Sequence, residues 1–209
     1  MISILEDGLR GLAYASPRKS AERLAELVIL LDSWAARINL TGHRTPEAIA
    51  ERLVLDAAAM GSVLPELAGA TSLADLGTGA GFPGLPLAIL FPHLHVHLVD
   101  SRKKRNHFQR EVRRRLDLQN VNPILGRSDE VEQELCQVVV AQAMTTPEHA
   151  LRLMAQWAEP GAVIALPASE TADEPTTPPG FSAPDLREYT VPRTEAQRRV
   201  WVVRCPDVD

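Results

Sequence analysis

The chain has 209 residues, 45% of them apolar, and a formal charge of −5 at neutral pH. That length accommodates one α/β domain with a helical extension and falls short of two ordinary domains. No run approaches the ~20 apolar residues of a membrane span, the start lacks a signal-peptide pattern, and Cys136 and Cys205 stand far apart without partners at ligand spacing. A soluble, cytoplasmic protein with no membrane segment, no disulfide scaffold and no metal is therefore expected.

The first 60 residues read as helical. Ser16-Pro17 suits a cap and a first helical residue, and Leu24, Leu27, Val28, Leu31, Trp34 and Ile38 then recur at helical spacing. Asn39-Leu-Thr-Gly-His breaks the pattern. Thr45-Pro46 opens a second helix to about Met60, with Ile49, Leu53, Val54 and Leu55 as its apolar contacts. Residues 1–62 are expected to form a helical extension with no loop chemistry of its own, and residues 63–209 one compact domain.

From residue 72 the pattern alternates. Strands are predicted near 72–76, 94–99, 121–125, 136–141, 161–166 and 199–204, and helices near 84–91, 103–117 and 147–158. This is the rhythm of an α/β, Rossmann-like fold, a mostly parallel twisted sheet with helices on both faces. Tyr189-Thr-Val191 adds a β-like stretch that would close a hairpin with the last strand. Residues 167–184 hold five prolines, too many for a helix, and are expected as a mobile loop on the rim.

The first predicted strand ends in Asp75 and breaks into Gly77, Gly79 and Gly81, with Thr78 and Phe82 between and after them. Closely spaced glycines permit a tight turn and let the backbone approach a ligand. Gly79-Ala-Gly81-Phe-Pro-Gly84 also fits the dinucleotide spacing, but Pro83 falls at the helix start and the fit begins late. Read from Asp75, the loop matches the acid-plus-glycines signature of class I S-adenosylmethionine (SAM) methyltransferases. A carboxylate there helps position the ammonium of SAM and would repel a pyrophosphate. Asp100 closes the next apolar run and is placed to hydrogen-bond ribose hydroxyls, which both cofactor classes possess.

Charge is unevenly spread. Between Arg102 and Arg115 eight basic residues, among them Lys103, Lys104, Arg105, Arg110 and Arg114, face one acid, Glu111. On a helix, Phe108, Val112 and Leu116 would form the buried face and the cations a solvated one, a patch suited to a polyanion on an otherwise acidic body. His93, His95 and His97 share one face of an extended strand without an accompanying carboxylate or cysteine, so packing or exposure is expected and not a metal. Trp34, Trp157 and Trp201 are read as packing groups.

Taken in order, Asn39-Leu-Thr41, Arg52 and Asp56, the run Asp75-Leu-Gly-Thr-Gly-Ala-Gly-Phe-Pro-Gly84, Pro86-Leu-Ala, Asp100-Ser101 with Lys104-Arg105, and Gly126-Arg127-Ser-Asp-Glu130 resemble the small-subunit ribosomal RNA guanine-N7 methyltransferases (RsmG, also called GidB). The resemblance implies a cytoplasmic, monomeric enzyme that moves a methyl group from SAM to N7 of a guanine in 16S ribosomal RNA or the 30S subunit. It implies a cofactor site of Asp75, Gly77, Thr78, Gly79, Gly81, Phe82, Asp100, Ser101, Ser128, Asp129 and Gln142. Within it Asp100 holds the ribose and Ser128 and Asp129 flank the adenine. Lys103, Lys104, Arg105, Arg110, Arg114 and Arg127 would meet the RNA. No catalytic acid or base is assigned, because N7 carries a free lone pair and alignment alone lowers such barriers by roughly 7–11 kcal/mol.

Departures from the family pattern gather on the catalytic face. Ala141-Gln142-Ala143-Met144 stands where Ser-Arg-Ala-Phe is usual, Leu166-Pro167-Ala168 where a Leu-Lys-Gly step is usual, Leu53 in place of His and Ala57 in place of Ser. Gln142 hydrogen-bonds but forms no bidentate ion pair. Methylation of another substrate, or binding without turnover, is the alternative these changes raise.

Overall fold

The structure, a computed structural model, describes residues 1–141, 146–168 and 173–207. Helices α1 (Ile2–Gly11) and α2 (Pro17–Ala35) lead the chain, followed by α3 (Pro46–Ile49), a π-helical turn (Ala50–Val54) and α4 (Leu55–Ser62). Pro17 is the first residue of α2 as expected, but the Ser16 side chain makes no capping bond. Thr45 does cap α3, accepting from the Ala48 amide. The helix predicted from Thr45 to Met60 is thus present but not uniform. Its middle widens into a π turn, a feature that concentrates at functional sites and leaves no mark in the hydrophobic period.

The remaining elements are β1 (Ser72–Leu76), α5 (Gly84–Leu90), β2 (His95–Asp100), α6 (Lys103–Arg115), β3 (Val121–Leu125), β4 (Cys136–Ala141), α7 (Pro147–Ala155), β5 (Ala158–Ala168), β6 (Asp185–Val191) and β7 (Ala196–Arg204). The sheet runs in the order β3-β2-β1-β4-β5-β7-β6. The first five strands are parallel and β7 is antiparallel to β5, with β6 pairing β7 as the predicted hairpin. The α/β, Rossmann-like architecture is therefore present, with strand order switching between β1 and β4, where such sheets place their ligands.

Alternation along the strands splits the core in two. Leu73, Val96, Leu98, Val138, Val140, Val163 and Ala165 face the N-terminal helices, α5 and α6. Ala74, Leu76, Val139, Ile164, Leu166, Trp201 and Val203 pack against Leu151, Met154 and Trp157 on the other face. Residues 1–62 share a single apolar cluster with the sheet, since Leu24, Leu27, Leu31 and Leu55 pack with Phe108, Leu85 and Leu98.

Three expectations are corrected. The helix predicted to 158 stops at Ala155, and Trp157, fully buried, sits in the turn into β5. Strand β5 is longer than predicted and carries Pro167, which pairs with Val200, so the segment expected as loop from 167 begins as strand. His93 lies in the turn before β2, its Nε2 3.0 Å from the Leu67 carbonyl oxygen, and does not share a strand face with His95 and His97. His97 is buried beside Asn122 and 3.6 Å from Glu134, and burial lowers its pKa. Among the described residues, no group of three or more His, Cys, Asp or Glu side chains could hold a metal ion, and no helix is long and apolar enough to cross a membrane.

Candidate cofactor and RNA site

A cleft of about 730 Å³ opens over the C-terminal ends of β1, β2 and β3. Its floor is the loop after β1. Gly79 adopts φ 63°, a conformation glycine takes without strain, and it is held from both sides: its amide donates to Asp100 Oδ2 at 3.0 Å and its carbonyl accepts from Gln109 Nε2 at 2.8 Å. Gln109 is fully buried within the otherwise basic helix α6, and sequence reasoning does not single it out.

Asp75 supports this loop from beneath. It is fully buried, and its Oδ2 accepts from Thr78 Oγ1 at 2.5 Å and from the Gly84 amide at 2.8 Å. Residue 84 must be glycine for that approach, because a Cβ there would lie 2.8 Å from Asp75 Oδ2 and would overlap Leu98 Cδ2. Burial, with the Asp100 charge adding to it, raises the Asp75 pKa from 3.8 to about 7 against the opposing bonds from Thr78 and Gly84. A folded-state pKa above the unfolded one means the native state binds the extra proton, so this group's contribution to stability is full below pH ~4 and is lost as pH rises through about 7. Asp75→Asn is expected to flatten that part of the stability profile, measured as urea midpoints between pH ~4 and ~8; an unchanged slope would assign it elsewhere.

Asp100, at the end of β2, is almost fully buried and borders the cleft. Its Oδ1 accepts from the Arg102 amide at 2.8 Å, and its Oδ2 also accepts from Arg105 Nη1 at 3.1 Å. Gly126, Arg127, Ser128 and Asp129, after β3, form the far wall. The Ser128 carbonyl there accepts from Trp157 Nε1 at 2.9 Å, which ties the wall to the core beneath α7.

Of the residues expected at the cofactor, Gly77, Thr78, Gly79, Phe82, Asp100, Ser101, Ser128 and Asp129 line the cleft. Asp75 and Gly81 do not: Asp75 is buried beneath the loop, and Gly81, within it, packs against Leu85. Gln142 falls outside the described residues. Of the residues expected at RNA, Arg105 and Arg127 line the cleft. Arg127 pairs with Asp129 and Glu130, each at 3.2 Å. Lys103 and Lys104 are exposed at the start of α6 near its mouth, whereas Arg110 and Arg114 lie further along. At 1.5 Å per residue Arg114 is about 16 Å beyond Lys103, and it is clamped to Glu111 at 2.8 Å.

Leu40, Thr41, Leu53, His149 and Leu153 also line the cleft. The N-terminal helices thus do contribute to the site, contrary to the expectation that they carry no loop chemistry. The break Asn39-Leu-Thr is a usable signal; His149 and Leu153, on one face of α7, leave none.

The donor set fits SAM. Asp100 offers a carboxylate for a ribose diol, backbone groups of residues 77–80 approach without side chains at Gly77 and Gly79, and Phe82, Val99 and Leu153 supply apolar wall. The volume lies within the ~300–1,000 Å³ usual for such ligands.

Solved structures of known proteins share this fold. The structure of cofactor-bound Rv0187 from MTB superposes with a TM-score of 0.61 over 90% of this chain and 91% of that one at 16% identity, and an O-methyltransferase from Bacillus cereus in complex with SAH with 0.56 over 87% and 90% at 14%. These likenesses concern the fold. Two proteins described as ribosomal RNA small subunit methyltransferase G are much closer in sequence. That of Myxococcus xanthus is 34% identical over 207 residues, covering 95% of this chain and 94% of its own, and that of Azoarcus sp. is 32% identical over 202 residues, covering 95% and 94%. Residues 20–199 match the profile of the GidB family, rRNA small subunit methyltransferase G, and the chain belongs to that family.

Proposed function

We propose that this protein transfers the methyl group of SAM to N7 of a guanine in 16S ribosomal RNA, acting as a cytoplasmic monomer on the 30S subunit. The observation that carries the reading is the cleft over β1–β3, with Asp100 in its lining, in a chain whose relatives over about 95% of its length are named for small-subunit RNA methylation.

When bound, SAM supplies an activated methyl group on a sulfonium. The protein's task is placement. Asp100, which Arg105 holds at Oδ2, would take the ribose, and the wall from Gly126 to Asp129 would take the adenine. Gly77 and Phe82, at the β1 side of the cleft, would then hold the methionine end. No side chain need accept a proton before attack, because the guanine N7 lone pair is free at neutral pH. Lys103 and Lys104 offer phosphate contacts at the mouth, and the remote Arg110 and Arg114 a weaker share.

The departure at Pro167 does not strip the acceptor side of cations. A second cavity beside Phe82 is bordered by Pro167 together with Arg52, Arg198 and Arg199. The reading is tested by transfer of labelled methyl from SAM to 30S subunits from cells lacking this family's enzyme, with the base located by strand cleavage at N7-methylguanine. Label at one guanine is expected. SAM binding without label would move the function to another acceptor or to binding without turnover.

A further inference from the structure

The second cavity, about 250 Å³, shares Leu53 and Phe82 with the cofactor cleft and extends from them toward Pro167 and Ala168 at the end of β5. In sheet order it continues from β1 toward β5 and β7, while the cleft covers β1, β2 and β3. It therefore begins where the methyl-bearing end of the cofactor is placed above. Its volume falls below the usual range for a whole cofactor and suits a single base.

One acid borders it among the described residues. Asp56, at the first turn of α4 just after the π-helical turn, has Oδ1 3.1 Å from the Tyr189 hydroxyl, which donates to it, and Oδ2 3.6 Å from Arg198 Nε. Burial raises its pKa and the Arg198 charge opposes that rise. Two partners leave a carboxylate with unused lone-pair directions, since its two oxygens provide about four.

The chemistry of the acceptor selects how it must be read. Arginine usually recognises guanine by a fork to O6 and N7, which here would occupy the nucleophile. Recognition must come from the opposite, Watson–Crick edge, where guanine presents the N1–H and N2–H donors and adenine presents an N1 lone pair. An ionised carboxylate matches the first and repels the second.

We infer that the cavity between Leu53, Phe82 and Tyr189 receives the flipped guanine and that Asp56 accepts from its N1–H and N2–H, selecting guanine and leaving N7 turned toward the methyl group. This rests on the function proposed above. In the transfer, the N7 lone pair forms the new bond to carbon as the carbon–sulfur bond breaks with its electron pair on sulfur. The positive charge leaves sulfur and appears on the guanine ring. A carboxylate against N1–H and N2–H opposes that charge, so its interaction strengthens as the reaction proceeds and it contributes to rate as well as to selection.

Inosine, which lacks the 2-amino group, separates this role from a structural one. Reconstituted 30S particles carrying guanosine or inosine at the modified position are compared as substrates for the wild-type protein and Asp56→Asn, with SAM affinity measured in parallel. Wild type is expected to lose about tenfold in kcat/KM on inosine. Asp56→Asn is expected to lose about tenfold or more on guanosine with SAM affinity unchanged, and to show little further loss on inosine. Equal wild-type turnover of the two particles overturns the inference without reference to any variant, as does an undiminished inosine penalty in Asp56→Asn. Failure of the wild type to methylate the guanosine particle would instead overturn the proposed function.

Discussion

Trp157→Ala is expected to lower the unfolding free energy by about 3–5 kcal/mol, the usual cost of emptying a large aromatic site in a core. For a chain of this size that corresponds to a fall in Tm of about 6–20 °C. The ring is fully buried between α7 and the sheet, against the cluster that contains Leu151, Met154 and Ile164. Its second effect separates it from other core truncations. Trp157 Nε1 is the donor to the Ser128 carbonyl in the proposed adenine wall, so SAM affinity should fall with stability. Trp157→Phe restores much of the packing but not that bond; it should recover most of the Tm and less of the affinity. Calorimetric unfolding and titration of both variants check this, and a loss below about 3 °C for the alanine variant would remove Trp157 from the core.

The largest effect on binding is expected from Asp100→Ala. The carboxylate accepts from the amides of Gly79 and Arg102 and from Arg105, so its removal unpins the loop floor and deletes the proposed ribose partner together. Hydrogen bonds to a charged group contribute about 1.5–3 kcal/mol each. A roughly 10–100-fold weaker SAM affinity is therefore expected, with the helical signal retained because the sheet and its two apolar clusters do not depend on this residue. Isothermal titration decides; an unchanged Kd would place the cofactor elsewhere in the cleft or outside it.

Those two residues differ in how far the chain itself exposes them. Asp100 closes an apolar run, and a strand-terminal acid after a glycine loop carries chemical meaning from its position alone. Trp157 reads correctly as packing but in the wrong element, since an apolar residue at helical spacing past Ala155 looks like one more turn of α7. The central strands are legible because burial on both faces turns them into short apolar runs, as in Val138, Val139 and Val140 of β4. What stays hidden is long-range. Nothing local distinguishes Gln109 from its neighbours on α6, yet it alone of that helix reaches the Gly79 carbonyl. Asp75 stands out by position and resembles a ligand group; only the fold shows that it is buried beneath the loop with Thr78 and the Gly84 amide on its Oδ2. The π turn that carries Leu53 to the shared wall of both cavities arises from tertiary packing, to which hydrophobic periodicity is blind.

The strand order also governs how this chain can emerge during synthesis. β1 lies between β2 and β4, so after β2 and β3 are made one of its edges stays unpaired until Cys136–Ala141 arrives. At the usual ~5–20 residues per second, the stretch from 77 to 141 takes about 3–13 s to translate. For that interval Leu73, Ala74 and Leu76 present an apolar strand with open hydrogen-bonding groups, the kind of edge that pairs with other chains. Synonymous changes that slow translation between β3 and β4 should therefore raise the pelleted fraction of newly made chain without any change in the stability of the finished protein.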